Sequence, residues 1–305
     1  MNPLRGIALK VVSVFVFVAM SAIIKATSDT VPPGEAVFFR SAFAIPVIVV
    51  WLAATGGLRT GFATSNPIGH FWRGLLGVTA MGFGFAGLGL LPLPEVTAIG
   101  YAAPLLTVIF AAMFLGEQVR LFRIAAVALG MAGVLIVLSP RLSMLEGQGI
   151  GATEALGAVV VLTGAVFASL AQVFVRKLVG DETTSSIVFW FSVNASVLSL
   201  VTLPFGWVLP DAGTFALLVL TGIMGGVGQI LLTSAYRHAD TSVVAPFEYV
   251  SMLLAVLVGF SFFGEVPTLT VLVGTGLIVA AGIIIILRER QLGIERAKQR
   301  RSMSP

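Results

Sequence analysis

Residues 96–117 (VTAIGYAAPLLTVIFAAMFLGE) lie over residues 244–265 (VAPFEYVSMLLAVLVGFSFFGE) at a constant offset of 148. Tyr101 falls on Tyr249, Gly116 on Gly264 and Glu117 on Glu265. In the glycine-rich segment before each copy, the same offset carries Gly77 onto Gly225 and Leu88 onto Tyr236. Residues 6–25 match residues 157–176 at a slightly longer offset. Each half holds five apolar segments of membrane length, and five is odd. The second copy must therefore enter a bilayer from the side opposite to the first. Inverted repeats of this kind are the architecture of secondary transporters, whose substrate site lies where the halves meet.

Composition agrees. With 57% hydrophobic residues, 10% charged residues and a mean hydropathy of +1.04, the chain is not a water-soluble domain. A soluble surface needs roughly 25% charged residues. The absence of cysteine removes disulfides, thiol catalysis and thiolate metal sites together. Two histidines, His70 and His238, leave little for a histidine-based metal site, and no cofactor is expected. The basic balance does not point to nucleic acid, because most Lys and Arg are scattered singly in short loops.

Ten segments approach the roughly 20 residues that a helix needs to cross a bilayer. They are 6–24, 34–54, 71–90, 95–115, 121–138, 155–175, 186–204, 212–233, 242–263 and 269–287. The expected fold is an all-α integral membrane protein of ten transmembrane helices in two inverted five-helix halves. Its parts are residues 1–140, residues 141–287 and a basic tail, 288–305. The first segment lacks a convincing cleavage site and recurs as the sixth, which argues against a signal peptide. Fourteen of the 18 Lys and Arg fall on the side of the termini, Arg73 and Arg120 among them. Two, Lys25 and Arg141, fall on the other side, and Lys10 and Arg40 sit within segments. The positive-inside rule then places both termini in the cytoplasm.

Polar side chains inside apolar segments are the best pointers to a site. Arg40 reads as an anion or carbonyl clamp, or as a structural cation paired with Glu35, Glu95 or backbone carbonyls. Glu248 reads as a protonatable coupling group, or as a partner for Lys10, which enters from the same side. Gln172, Asn194 and Gln229 either join helices or line the pore. Tyr101 and Tyr249, related by the repeat, would flank a central cavity and suit a planar ligand. Trp51, Trp72 and Trp207 lie at segment ends as interfacial anchors, and Trp190 is a further candidate. Pro104 and Pro246 should open kinks. Gly82, Gly84, Gly87 and Gly89, with Gly222, Gly225, Gly226 and Gly228, form matching small-residue surfaces for close helix packing. Glu117 and Glu265 suit capping or gating.

The stretches ending in Leu115-Gly116-Glu117 and Phe263-Gly264-Glu265 resemble the drug/metabolite transporter superfamily, within it the ten-span EamA group. The glycine-bearing final segments (Gly130, Gly133; Gly276, Gly282) and the element Phe38-Phe39-Arg40-Ser41 carry the same resemblance, over roughly residues 5–287. It implies a central cavity working by alternating access. The runs Val31-Pro32-Pro33-Gly34-Glu35-Ala36 and Leu90-Leu91-Pro92-Leu93-Pro94-Glu95-Val96-Thr97-Ala98-Ile99 resemble members described as bacterial riboflavin transporters. That resemblance implies riboflavin uptake across the inner membrane. Similar relatives export amino acids or take up S-adenosylmethionine.

An intramembrane enzyme would need a Ser/His pair, an aspartate pair or a metal motif. None of Asp29, Asp181, Asp211 and Asp240 is deep in a segment, and no H-E-x-x-H occurs. A scaffold gives no reason for symmetric polar residues in the membrane. Without a G-x-x-x-x-G-K-[ST] loop, uphill movement needs an ion gradient (a proton is the natural candidate), exchange or a partner subunit. The expected partners are a small-molecule substrate and the lipid bilayer.

Overall fold

The structure is a computed structural model and describes residues 3–116, 121–142, 151–239 and 241–302. Glu117, Arg120, Gly147 and Asp240 lie outside the described residues. In hydrocarbon a backbone must satisfy its own N–H and C=O groups, so long apolar runs become helices. Among the described residues, ten such stretches are long and apolar enough to cross a membrane. Spans 1 to 5 are Pro3–Thr27, Pro33–Ala54, Pro67–Leu90, Leu93–Leu115 and Leu121–Arg141. Spans 6 to 10 are Ala152–Leu178, Thr184–Thr202, Ala212–His238, Ala245–Phe263 and Leu269–Arg288. Each matches an expected segment. The helix of span 10 runs on to Ser302, so the backbone of the basic tail stays helical instead of ending at residue 287.

Proline places the breaks. Span 2 is interrupted at Phe43 and span 4 at Tyr101. Pro46 and Pro104 each follow three residues later. A proline lacks an N–H, and its ring meets the carbonyl four residues back. Those carbonyls belong to Ala42 and Gly100, the last helical residues before each break. In span 9, Pro246 lies in a 3-10 turn, Ala245–Tyr249, before the α-helix resumes at Val250. Spans 4 and 9 both end at a glycine in the left-handed region, Gly116 (φ 67°) and Gly264 (φ 66°), where a side chain would be strained.

The helices pair across the halves. Span 1 packs along span 8, and its repeat counterpart, span 6, packs along span 3. Span 2 meets span 8 as span 7 meets span 3, and spans 5 and 10 pack on each other. Exchanging the two halves maps this set of contacts onto itself, which is the three-dimensional signature of the repeat. The approach is closest where side chains vanish. A Cβ on Gly133 would lie 2.6 Å from the Gly274 carbonyl oxygen, and one on Gly274 would lie 2.6 Å from that of Gly133.

Polar ties close both ends of the bundle. On the face away from the termini, Lys25 Nζ pairs with Glu265 Oε1 at 2.9 Å and donates to the Leu88 and Leu91 carbonyls. Glu265 Oε2 in turn accepts from the Leu93 N–H at 2.8 Å, capping span 4. Arg141 grips Glu95 with two hydrogen bonds and also pairs with Glu154. On the face of the termini, Glu182 of the second half accepts from Thr64 Oγ1 (2.7 Å), Ser65 N (2.7 Å) and Asn66 N (3.0 Å) of the first. Desolvation acts to raise the Glu182 pKa, but these hydrogen bonds outweigh it and hold the group at about 2.

Two predictions follow from this packing. A Cβ on Gly222 would sit 2.3 Å from Phe43 Cβ and 2.7 Å from the Phe39 carbonyl, so Gly222→Val should destabilise by about 1–3 kcal/mol. Gly276→Val, with open space around it, should leave the thermal midpoint in place. The folded-state pKa of Glu182 lies below its ordinary 4.5, so its stabilisation is full above 4.5 and disappears as pH falls toward 2. The gap in thermal midpoint between wild type and Glu182→Gln should therefore narrow on acidification; a constant gap would contradict this role.

Candidate functional site: buried charges between the halves

Charge inside the bundle gathers in two places. In the first, Lys10 of span 1 is only 2% exposed and forms an ion pair with Glu248 of span 9. Its ammonium also stands 5.9 Å from the centre of the Tyr236 ring in span 8. An ammonium at this depth costs roughly 2.5–3.5 kcal/mol on insertion scales unless a partner compensates it. Glu248 is that partner, and its own carboxylate side is half-exposed. Nearby, Tyr101 and Tyr249 meet edge to face with ring centres 5.2 Å apart. The Tyr101 hydroxyl and Ser251 Oγ share a hydrogen bond of 2.6 Å. A Cβ on Gly282 would collide with the Tyr249 hydroxyl, so the glycine makes room for that ring. The tyrosines touch at the junction of the halves, with no gap between them for a flat ligand.

In the second place, two guanidinium groups share one aromatic ring. Arg40 of span 2 is 7% exposed, and its guanidinium carbon lies 5.8 Å from the centre of the Phe191 ring in span 7. Arg73 of span 3 lies over the same ring at 3.6 Å. Neither has a carboxylate partner among the described residues. The two acids available on paper are committed elsewhere, Glu35 to the Val208 N–H at 3.0 Å and Glu95 to Arg141. Seven buried side-chain N and O atoms among the described residues have no hydrogen-bond partner. Six of them belong to Arg40, Ser41, His70 and Arg73, so the unanswered polarity is concentrated here. His70 Nε2 is 3.7 Å from Glu182 Oε1, too far for a hydrogen bond.

The repeat explains how this place is built. Residue 25 falls on 176 at an offset of 151, and the same offset carries Phe38-Phe39-Arg40-Ser41 onto Phe189-Trp190-Phe191-Ser192. Arg40 and Phe191 are thus counterparts that meet. Each is seated against the counterpart glycine. A Cβ on Gly225 would be 3.0 Å from Arg40 Nε, and one on Gly77 would be 2.7 Å from Phe191 Cε2. Phe43 against Gly222 is likewise matched by Asn194 against Gly74.

The remaining candidates scatter. Asn194 donates to the His70 carbonyl at 3.1 Å, joining spans 7 and 3. Trp190 donates to the Phe62 carbonyl at 3.3 Å, near the face of the termini. Gln229 is half-buried in span 8, and Gln172 is exposed on span 6. Arg73 is not among the sequence candidates because it counts naturally among the charges at the end of a span. It is instead the seventh residue of span 3. Its signal is the sequence Arg73-Gly74, in which a long cation precedes a residue without a side chain that lets span 7 approach.

Two crevices, of about 230 and 340 Å³, open at the face away from the termini. Ile24, Phe85 and Leu90 line the first, and Thr30, Val208 and Asp211 the second. Neither touches Arg40, Arg73, Lys10 or Glu248. No group of three or more His, Asp or Glu that could hold a metal occurs among the described residues.

The chain is similar in sequence to known transporters. The chain is 29% identical over 284 residues to the pseudopaline exporter CntI of Pseudomonas aeruginosa, covering 92% of this chain and 95% of the relative. It is 30% identical over 259 residues to a riboflavin transporter of Rhizobium johnstonii, covering 85% and 82%. A Rickettsia bellii S-adenosylmethionine uptake transporter is 28% identical and covers 84% of each chain. A solved crystal structure of 20% identity superposes with a TM-score of 0.63, over 92% of this chain and 96% of that one, and shows the shared fold. The model of the EamA-like transporter family matches residues 4–139 and again residues 155–288. Both halves of the ten-span bundle carry that match, and the chain belongs to the EamA-like transporter family.

Proposed function

We propose that this chain is a secondary transporter that moves a small metabolite across the bacterial inner membrane by alternating access, with both termini in the cytoplasm. The observation that carries the reading is the set of contacts that maps onto itself when the halves exchange. A bundle built this way has two related packings, in which one half rocks against the other and the site between them faces either side. The ties at the two faces are the contacts such rocking must release, Lys25–Glu265 at one and Glu182 with Thr64, Ser65 and Asn66 at the other. The orientation rests on the charge bias of the loops.

Riboflavin uptake is the first substrate reading. It is supported by the runs at residues 31–36 and 90–99 and by the 30% identity to a riboflavin transporter. Tyr101 and Tyr249 would have to part to take a flavin ring between them. Export of amino acids or related metabolites is the second reading. It is supported by the 29% identity to an exporter and by cationic side chains able to hold a carboxylate. Uptake of labelled riboflavin into a bacterium that cannot make it decides between them. Saturable uptake with growth at low external riboflavin supports the first; no uptake by a well-inserted protein removes it and leaves export, with S-adenosylmethionine uptake as the remaining alternative.

Glu248 is the group we assign to proton coupling, because it is a half-exposed carboxylate within the spans, ion-paired to the buried Lys10. Glu248→Gln should abolish pH-driven accumulation and spare substrate exchange. Equal loss of both, in a variant inserted at the wild-type level, would mark the pair as structural.

A further inference from the structure

We infer that Arg40 and Arg73, seated together on Phe191, bind the anionic group of the transported metabolite, a carboxylate or a phosphate. This rests on the transporter reading above and selects among its substrates, because riboflavin carries no such group at neutral pH. The argument begins with charge. An aromatic face attracts a cation through its quadrupole but brings no net negative charge. Two guanidinium groups on one ring therefore remain a double positive charge, enclosed by helices of both halves. Glu182, whose Oε1 lies 3.7 Å from His70 Nε2, is occupied by Thr64, Ser65 and Asn66. Other cations enclosed among the described residues have been answered: Lys10 by Glu248, Lys25 by Glu265, Arg141 by Glu95. The exception falls at the contact between repeat counterparts, where an alternating-access carrier holds its substrate.

Residue type points the same way. A guanidinium offers a planar fork of donors that matches two oxygens of a carboxylate or phosphate, which a halide cannot use. The unpartnered Nε of Arg40, with Nε and Nη1 of Arg73, are the donors left for such a group. His70 and Ser41 add unpartnered polar atoms beside them in sequence. The enclosed position favours a soluble anion over a lipid headgroup, which would approach from the rim of the bundle.

The test uses the full chain in phosphatidylcholine nanodiscs, with thermal unfolding followed by tryptophan fluorescence. Succinate and inorganic phosphate serve as probes against chloride at equal ionic strength. The expected result is a midpoint raised by about 2 °C or more with succinate or phosphate and unchanged with chloride, since a ligand of the folded state stabilises it. Arg40→Gln and Arg73→Gln should each erase that shift. Without anion, Arg40→Gln should unfold no lower than wild type, because it removes a buried charge with no carboxylate partner, and Arg73→Gln, at a partly exposed residue, should shift the midpoint little. Lys177→Gln, outside the site, should keep the full shift. A shift retained by either arginine variant, or one reproduced by chloride, overturns the inference. So does stabilisation found only in phosphatidylglycerol nanodiscs, which would identify a lipid headgroup as the occupant. Exchange of labelled succinate and phosphate in proteoliposomes separates the two readings. Transport with no arginine-dependent binding overturns this site alone, whereas arginine-dependent binding with no exchange keeps the site and counts against the transporter.

Discussion

Inside a bilayer no water is at hand to solvate a charge, so each buried cation must be met by the protein or by something the protein carries. That constraint organises this bundle. Lys25 is held by Glu265 and two backbone carbonyls, and Lys10 by Glu248. Arg141 is held by Glu95 in a two-point contact. Most of these pairs join residues far apart in sequence, so compensating charge also fixes the halves to each other. Arg40 and Arg73 stand apart from this pattern, and the structure around them is specialised to keep them there.

That specialisation is achieved with glycine. Spans 3 and 8 present Gly74, Gly77, Gly222 and Gly225 to spans 7 and 2, and each missing side chain is filled by one from the opposing helix. Large aromatic and cationic groups can then sit between helix backbones that would otherwise be kept apart by their own side chains. Close packing of this kind tolerates little added volume.

Much of this was legible in the residues. The ten spans follow from apolar length, and the breaks at Phe43 and Tyr101 follow from prolines three residues on. The repeat offset of 148 placed Tyr101 and Tyr249 as counterparts, and they do meet. Their contact, instead of an open gap, was not readable, because sequence fixes which residues correspond but not how far apart rigid helices hold them. Lys10 was recognised as a possible partner for Glu248 from depth and side alone. Arg73 escaped because six residues separate it from the start of span 3, a depth at which an arginine ordinarily reaches water. Whether a long side chain turns outward or into the bundle depends on its neighbours, here Phe191 and Gly74. The extended offset of 151, which joins Arg40 to Phe191, was present in the sequence and becomes meaningful once both are seen on one contact.

In the alternating-access carrier proposed above, the meeting of Arg40 with Phe191 has a kinetic consequence. Were the two counterparts identical, the inward-facing and outward-facing states would be near mirror images, and the carrier would bind its cargo with equal strength from either compartment. One counterpart is a cation and the other an uncharged ring, so the two states place different chemistry at the mouth of the site. The equilibrium across the membrane is still set by the driving gradients, but half-saturation and turnover need not match in the two directions. In that carrier, two copies of one fold acquire a direction at counterpart positions that differ, Arg40 with Phe191 and Phe43 with Asn194 among them.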